Sequence, residues 1–241
     1  MKISVILPAY NEEKLIDTAL KAVGLALGAF SAAGWQTEVI VCDNASTDAT
    51  AVIARRAGAR VVHEPINQIS RARNRGAAAA NGDWLIFVDA DSFPTRVLFE
   101  RVREMIESGN VIGGGALVTL AGGGGIPWLM AQFWNVLSYT ARWMAGSFIF
   151  CETAVFQDLG GFDQTLFASE EIDFSRRLKR RAHLDGRRIR IIGRPRLHTS
   201  GRKVHLYSYG EYARLLWHTV RTRGGCLRRR ESCAIWYDGR R

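Results

Sequence analysis

The chain has 241 residues, of which 47% are hydrophobic, and it carries a formal net charge of +10. The apolar fraction excludes a disordered protein, and the length suits one domain, or one domain with an appendage. No uncharged apolar run reaches the length of a transmembrane helix, and a signal peptide is not expected. Its four cysteines have neither zinc-site nor redox-motif spacing, so we expect reduced thiols in a cytoplasmic protein.

The charge is unevenly distributed along the chain. Residues 176–241 hold 20 Lys and Arg against 4 Asp and Glu, a net charge of +16, whereas residues 1–175 carry −6. This asymmetry predicts a cation-dependent site in the acidic part and an anion-facing surface in the basic part. Phospholipid, a phosphorylated acceptor and nucleic acid are the candidate partners of that surface. A basic face that is merely solvated is the alternative.

Strands and helices alternate through the first ninety residues. Asn11 is predicted to cap the first helix, and Ser46 or Thr47 the second. Four repeats of strand and helix predict a parallel sheet whose strand ends meet at one crevice. The predicted strands cover residues 3–7, 38–42, 60–63 and 84–88, and the third helix covers 69–80.

The strand from Trp84 to Val88 is five apolar residues long, which predicts burial on both faces. It runs into Asp89, Ala90 and Asp91, and two carboxylates cannot lie unpaired in a core. We therefore expect them at the carboxyl end of the strand, where open α/β sheets bind ligands. Their oxygens suit Mg²⁺ or Mn²⁺ together with substrate phosphates. A plain strand end followed by an acidic turn is the alternative.

The second half of the chain begins with a helix predicted from Pro94 to residue 107. Residues 126–141 carry no charge and are rich in aromatic side chains. They predict a core helix that is too short to span a bilayer, with a membrane-interface helix as the alternative. Later strands are predicted over 110–120, 146–150, 189–192 and 196–199, and later helices after Ser169 and over 207–220.

Four motifs in this order resemble those of family-2 glycosyltransferases, which have the GT-A fold and use nucleotide-diphosphate sugars. They are residues 5–12 (VILPAYNE), 43–48 (DNASTD), 72–76 (ARNRG) and 89–91 (DAD). A fifth stretch, SEEIDF at 169–174, is similar to the acceptor-side motif of that family, which usually has Glu-Asp where this chain has Glu170 and Glu171. The resemblance covers about residues 1–200.

The resemblance implies a set of residues for the nucleotide sugar: Pro8, Ala9, Tyr10, Glu12, Asp43, Arg73, Asp89 and Ala90. Carboxylates can accept hydrogen bonds from a base N–H or from ribose hydroxyls, and the Tyr10 ring can stack on a base. Arginine is the natural partner of phosphate. Arg73 is preferred because it matches the family position. Arg71 is a weaker candidate, and Arg75 is expected on a solvated face.

The resemblance also implies the metal and the base. Asp91 is expected to bind a divalent cation, Mn²⁺ or Mg²⁺, and His198 resembles a further metal ligand of some GT-A enzymes. A hydrogen-bonded histidine on a strand is the alternative for His198. Glu171 is the expected general base of an inverting transfer, while Glu170 and Asp173, on the acceptor side, are alternatives for that role.

The expected fold is therefore an α/β GT-A domain over residues 1–205, with a Rossmann-like, mostly parallel sheet flanked by helices. Its nucleotide-sugar half would end at residue 92 and its acceptor half at 205, followed by a basic helical tail. The expected enzyme is an inverting, metal-dependent, non-processive glycosyltransferase that uses a UDP- or GDP-linked sugar. A nucleotidyltransferase or a non-catalytic binder of anionic surfaces is the alternative.

The expected location is the cytoplasm, with the inner face of the membrane as one place of action. The acceptor would then be lipid-linked or anionic, and the protein would make peripheral membrane contact. Nucleic acid is not expected as a partner.

Overall fold

The computed structural model describes residues 1–121, 125–202, 209–222, 224–233 and 237. Within these residues eight strands form one sheet: β1 (Lys2–Ala9), β2 (Gln36–Asp43), β3 (Arg60–His63), β4 (Trp84–Val88), β5 (Ser92–Phe93), β6 (Val111–Leu120), β7 (Phe148–Glu152) and β8 (Arg188–Thr199). The flanking helices are α1 (Ile16–Ser31), α2 (Thr50–Arg56), α3 (Ile69–Ala78), α4 (Arg96–Glu107), α5 (Gly125–Ala141), α6 (Thr153–Asp158), α7 (Glu170–Leu184) and α8 (Tyr209–Arg221). Two 3-10 turns follow, Gly225–Arg228 and Arg230–Cys233.

The strand order is β3-β2-β1-β4-β7-β6-β8-β5. The first four strands run parallel, as the alternation of strands and helices predicts, and so do β6 and β8. β7 is antiparallel to β4 and β6, and β5 is antiparallel to β8. The carboxyl ends of β1, β2 and β4 therefore lie at one edge, where Ala9 pairs with Asp43 and β4 leads into Asp89. This arrangement confirms the predicted α/β fold class.

Apolar side chains cover both faces of the sheet. One cluster lies under α1 and α4, and the other lies under α6 and α7. All five residues of β4 are buried, as its sequence predicts. In the second cluster the rings of Phe87, Phe156, Phe162 and Phe174 lie 4.8–5.5 Å apart, centroid to centroid. Each buried phenylalanine contributes about 1.5–3 kcal/mol, so this cluster fixes the start of α7 against β4.

Glycines let β6 approach β7 closely. A Cβ atom at Gly113 would lie 2.6 Å from the carbonyl oxygen of Phe150, and one at Gly115 would lie 2.9 Å from that of Phe148. Any larger residue would push the two strands apart, so these positions fix the spacing of the sheet beside the site.

The predicted N-caps are wrong, because α1 begins only at Ile16 and α2 only at Thr50. Asn11 and the loop after β2 bond to each other instead. The Asn11 backbone N–H donates to Ser46 Oγ at 3.0 Å, and Thr47 N donates to Asn11 Oδ1 at 2.8 Å. These polar residues thus tie together the two loops that follow β1 and β2.

Helix α5 is not the core helix that its composition predicts. Leu129, Phe133 and Val136 are exposed, whereas Asn135 and Ser138 are buried. No helix in the described part of the chain is both long enough and apolar enough to cross a bilayer.

The described C-terminal residues contact the loop before α7. Phe167 N donates to the carbonyl oxygen of Leu227 at 2.8 Å, and Arg228 Nη1 donates to Thr165 Oγ1 at 2.7 Å. Cys226 is buried, with its thiol free. These contacts join part of the predicted basic tail to the segment before α7.

Candidate active site

A cleft of about 350 Å³ lies at the carboxyl-terminal ends of β1 and β4. The end of β6, the segment before β7, the start of α7 and the end of β8 complete its walls. Ten of the thirteen predicted site residues line it: Pro8, Ala9, Tyr10, Glu12, Arg73, Asp89, Ala90, Asp91, Glu170 and Glu171. The other three, Asp43, Asp173 and His198, are not among its lining residues.

Glu12 lies on the β1 side of the cleft and is only 4% exposed. Its backbone N–H donates to Thr50 Oγ1 at 2.8 Å, which holds the loop against the start of α2. Arg202 Nη2 donates to both carboxylate oxygens of Glu12, at 2.9 and 2.7 Å. A nucleoside that hydrogen-bonds to Glu12 must therefore share the carboxylate with this arginine or displace it.

Asp43 ends β2 beside Ala9, but its carboxylate is engaged elsewhere. His63 Nδ1 lies 3.1 Å from one carboxylate oxygen, and Ser46 N donates to the other at 3.1 Å. Its neighbour Asn44 lines the cleft instead. Asp43 thus holds the loop that carries Asn44, and its predicted contact with the nucleoside stays a prediction.

Asp91 provides a buried carboxylate on the β4 side of the cleft, 5% exposed. Ser200 Oγ donates to Asp91 Oδ2 at 3.0 Å, and Ser200 N donates to the Asp91 carbonyl oxygen at 2.9 Å. The end of β8 therefore orients the carboxylate. A Mg²⁺ or Mn²⁺ ion fits this donor chemistry, because hard cations accept one or two carboxylates and complete their shell with water and substrate phosphates.

His198 is not among the residues that line the cleft with Asp91, so its predicted role as a metal ligand stays a prediction. Side chains alternate across a strand, and Thr199, paired with Ser92, is the one that lines the cleft. His198 is exposed one residue earlier, opposite Phe93. Among the residues described, no group of three or more His, Cys, Asp or Glu side chains is placed to hold a metal.

Arg73 is the buried centre of the acidic wall, 2% exposed on the inner face of α3. Nη1 donates to Glu170 Oε1 at 2.6 Å, while Nη2 donates to Asp89 Oδ1 at 3.2 Å and to the Gly146 carbonyl oxygen at 2.8 Å. Burial alone would lower the pKa of the guanidinium, but Asp89 and Glu170 raise it above its ordinary value. The arginine predicted for phosphate is thus paired with protein carboxylates.

Glu170 and Glu171 open α7 after Ser169, whose φ of 63° lies in the left-handed region. Burial raises the pKa of the Glu170 carboxyl, although Arg73 opposes the rise. Burial and the neighbouring charge of Glu170 raise the pKa of Glu171 to about 8. Arg73 forms its ion pair with Glu170, and both Glu170 and Glu171 line the cleft.

Asp173 takes no part in the cleft wall, contrary to its predicted acceptor-side role. Its carboxylate accepts from Arg177 Nε at 2.7 Å, one turn along α7. The same guanidinium donates to the carbonyl oxygens of Leu159 and Gly161, each at 2.8 Å. The pair therefore anchors α7 to the loop after α6.

Several lining residues were not predicted from the sequence. Ser200 orients Asp91, Trp134 and Leu120 form an apolar wall, and Tyr237 closes the cleft near α3. The Tyr237 hydroxyl donates to the Phe167 carbonyl oxygen at 2.9 Å, and burial raises its pKa above the ordinary value. None of these residues has a local motif, since each reaches the cleft through contacts distant in sequence.

Comparison with known proteins gives a consistent result. The sequence model of glycosyl transferase family 2 matches residues 4–154. Glycosyltransferase AglE of Haloferax volcanii is 30% identical over 187 residues, covering 73% of this chain and 60% of that protein.

Two solved structures are similar in fold. S. aureus TarS in complex with UDP-GlcNAc aligns with a TM-score of 0.62 at 24% identity, covering 83% of this chain and 58% of that chain. Glucosyl-3-phosphoglycerate synthase from Mycobacterium tuberculosis was solved in complex with Mn²⁺, UDP and phosphoglyceric acid. It aligns with a TM-score of 0.62 at 22% identity, covering 93% of this chain and 78% of that chain. The sequence matches span 60% of the length of AglE and 31% of the length of the curated synthase, less than two thirds of either protein.

Proposed function

Because the chain belongs to glycosyl transferase family 2, we propose that it transfers one sugar from a nucleotide-diphosphate sugar to an acceptor hydroxyl. The fold is that of the GT-A glycosyltransferases, as predicted. The observation that carries the proposal is the shared cleft, in which Asp91 and Glu171 line walls built from β4 and α7. One carboxylate suits a cation on the diphosphate, and the other suits a proton acceptor.

The proposed reaction is a single displacement with inversion. Glu171 takes the proton of the acceptor hydroxyl while its oxygen bonds to the anomeric carbon of the sugar. The bond between that carbon and the diphosphate oxygen breaks, and the nucleotide diphosphate leaves with the electron pair. A divalent cation held by Asp91 and the diphosphate would neutralise the negative charge that develops there. Arg73 and Glu170 fix the start of α7 so that Glu171 keeps its position.

The proposed donor is a UDP-sugar, with a GDP-sugar as the alternative. TarS and the mycobacterial synthase, which share the fold, were solved with UDP-GlcNAc and with UDP, respectively. Tyr10 and Glu12 line the cleft at the end of β1, where a base and a ribose could bind. The proposed acceptor is lipid-linked or anionic, and transfer is non-processive and takes place at the inner face of the membrane.

Ligand-dependent thermal stability tests the proposal directly. UDP with Mn²⁺ should raise the melting temperature, because a ligand that binds only the folded state stabilises it. Incubation with UDP- and GDP-sugars should then release free nucleotide diphosphate by transfer or slow donor hydrolysis. Release of pyrophosphate from a nucleoside triphosphate and a sugar phosphate would instead identify a nucleotidyltransferase and contradict the proposal.

A further inference from the structure

Helix α5 turns its apolar residues outward. Leu129, Phe133, Val136 and Tyr139 are exposed by 62%, 72%, 63% and 59%. The first three follow one line along the helix at spacings of four and three, so they form one face. An ordinary surface helix has the opposite pattern, with its apolar stripe on the core. Among the described residues nothing covers this apolar face.

The inward side of α5 is held by hydrogen bonds. Asn135 is 3% exposed, and its Oδ1 accepts from Val118 N at 3.0 Å while its Nδ2 donates to the Val118 carbonyl oxygen at 2.8 Å. Pairing between β6 and β7 ends at Gly115, so β7 provides no partner for the backbone of Val118. The amide of Asn135 provides that partner. The buried Ser138 Oγ donates to the Trp143 carbonyl oxygen. Polar contacts fix α5 in place, and its apolar side chains remain available for an external surface.

Cations surround this apolar face. Arg196 Nη1 donates to Gln132 Oε1 at 2.9 Å, and Lys179 Nζ donates to the Ala141 carbonyl oxygen at 3.4 Å. Arg176 lies over the Trp143 ring, and Arg142 is exposed just after the helix. The sequence has no acidic residue between Glu107 and Glu152, and none within β8.

From this geometry we propose that the outer face of α5 docks on an anionic phospholipid surface. An apolar helix face lies at the boundary of headgroups and acyl chains, while surrounding cations attract the anionic headgroups. A protein partner would not require the charges around the apolar face to be all positive. The side chain of Trp134, on the other side of the helix, lines the cleft with Val118 and Leu120. Docking through α5 therefore brings the cleft beside the bilayer, where an acceptor anchored in lipid is presented.

Vesicle flotation with a matched pair of double variants tests this surface. The probes are phosphatidylcholine vesicles with and without phosphatidylglycerol. Wild-type protein should float with the anionic vesicles at low salt and less at high salt. Leu129→Ser with Phe133→Ser should weaken the partition coefficient by about tenfold or more, because two large apolar side chains leave the bilayer. Leu25→Ser with Leu184→Ser is the control, since those side chains are exposed by 77% and 80% on α1 and α7.

Four results would overturn the proposal. In the first, the α5 variant binds anionic vesicles as tightly as wild type does. In the second, the Leu25 and Leu184 control loses vesicle binding as much as the α5 variant does. In the third, replacement of Arg228, Arg229 and Arg230 by serine abolishes vesicle binding while the α5 variant keeps it. That result would assign the membrane contact to the basic tail. In the fourth, light scattering finds that wild type is a dimer and that the α5 variant is a monomer. That result would make the apolar face an interface between copies of this chain.

The location of the acceptor rests on the proposed function, but vesicle binding needs neither donor nor transfer. Wild-type protein that releases UDP from the donor but does not float with anionic vesicles would reject only the docking surface. Flotation without any donor turnover would reject only the proposed function.

Discussion

Arg73 Nη1 and Glu170 Oε1 lie 2.6 Å apart in the buried wall of the cleft, although the two residues are 97 positions apart in the chain. The pair joins α3 to the first turn of α7. Because the guanidinium also bonds Asp89 and Gly146, it links α3 to the end of β4 and to the segment before β7. Arg73 is therefore a positioning residue for the acidic wall.

Removal of the Arg73 cation should destabilise the fold. Arg73→Met should lower the free energy of unfolding by about 3–5 kcal/mol, because Glu170 and Asp89 lose their shared buried partner. Urea titration measures the change. Arg75→Met is the matched control, since Arg75 is exposed on the same helix, and it should change stability by less than about 0.5 kcal/mol. Equal stability of the two variants would show that the buried cluster is not held by Arg73.

Substitution of the proposed base should reduce turnover and leave donor binding intact. Glu171→Gln keeps the side-chain shape and removes the proton acceptor, so kcat should fall by about 10²–10⁴ while the Kd for UDP with Mn²⁺ stays near the wild-type value. Single-turnover kinetics and calorimetry measure the two quantities. If Glu170→Gln gives this pattern and Glu171→Gln does not, the base has been assigned to the wrong carboxylate.

The raised pKa of Glu171 predicts opposite effects of pH on activity and stability. The base must be ionised, so kcat/KM should rise with pH through about 8. The free energy of unfolding should fall over the range from the ordinary carboxyl value to about 8, because the folded state holds a proton that the unfolded chain has lost.

Glu171→Gln should remove that part of the pH dependence of stability, since the amide does not titrate. Melting curves of wild type and variant at pH 5 and about pH 8 measure this. The variant should gain stability relative to wild type at the higher pH. A constant difference between the two proteins would mean that Glu171 titrates as an ordinary exposed carboxyl.

The placement of Asp91 predicts which residue carries the metal dependence. Asp91→Asn should abolish the Mn²⁺-dependent part of UDP binding without changing the urea midpoint greatly, because the amide keeps the size of the side chain. Ser200→Ala should weaken that binding less, since Ser200 only orients the carboxylate. Isothermal titration of each variant with UDP, with and without Mn²⁺, measures the two effects.

His198→Ala is the informative control for the metal, because His198 lies outside the cleft lining. It should bind UDP with Mn²⁺ as wild type does. A loss of metal dependence equal to that of Asp91→Asn would contradict the placement of His198 described above.

Local patterns were sufficient to predict much of this protein. The apolar run of β4, the alternation of strands and helices and the acidic pair after Val88 predict a parallel sheet with carboxylates at one edge, and the structure has that sheet. Hydrophobic periodicity and strand length are properties of neighbouring residues, so they can be read without the fold. The order of the four motifs, for the same reason, indicated the family that the comparison confirms.

Side-chain partners required the tertiary structure, because each pairing joins residues far apart in sequence. Arg73 meets Glu170, and Asp43 holds its own loop through His63. His198 faces away because β8 pairs with β5 in one register, in which Thr199 lines the cleft.

Composition predicted a core position for α5. Its inward face is instead the one that carries Asn135, whose amide bonds the backbone N–H and C=O of Val118. Each of these buried backbone groups would cost about 1–3 kcal/mol without a partner, and the amide of Asn135 supplies that partner. The sequence by itself therefore determined that strands and helices alternate through the first ninety residues and that carboxylates follow the strand from Trp84 to Val88. The orientation of each charged group within that edge depended on long-range hydrogen bonds, which no local pattern encodes.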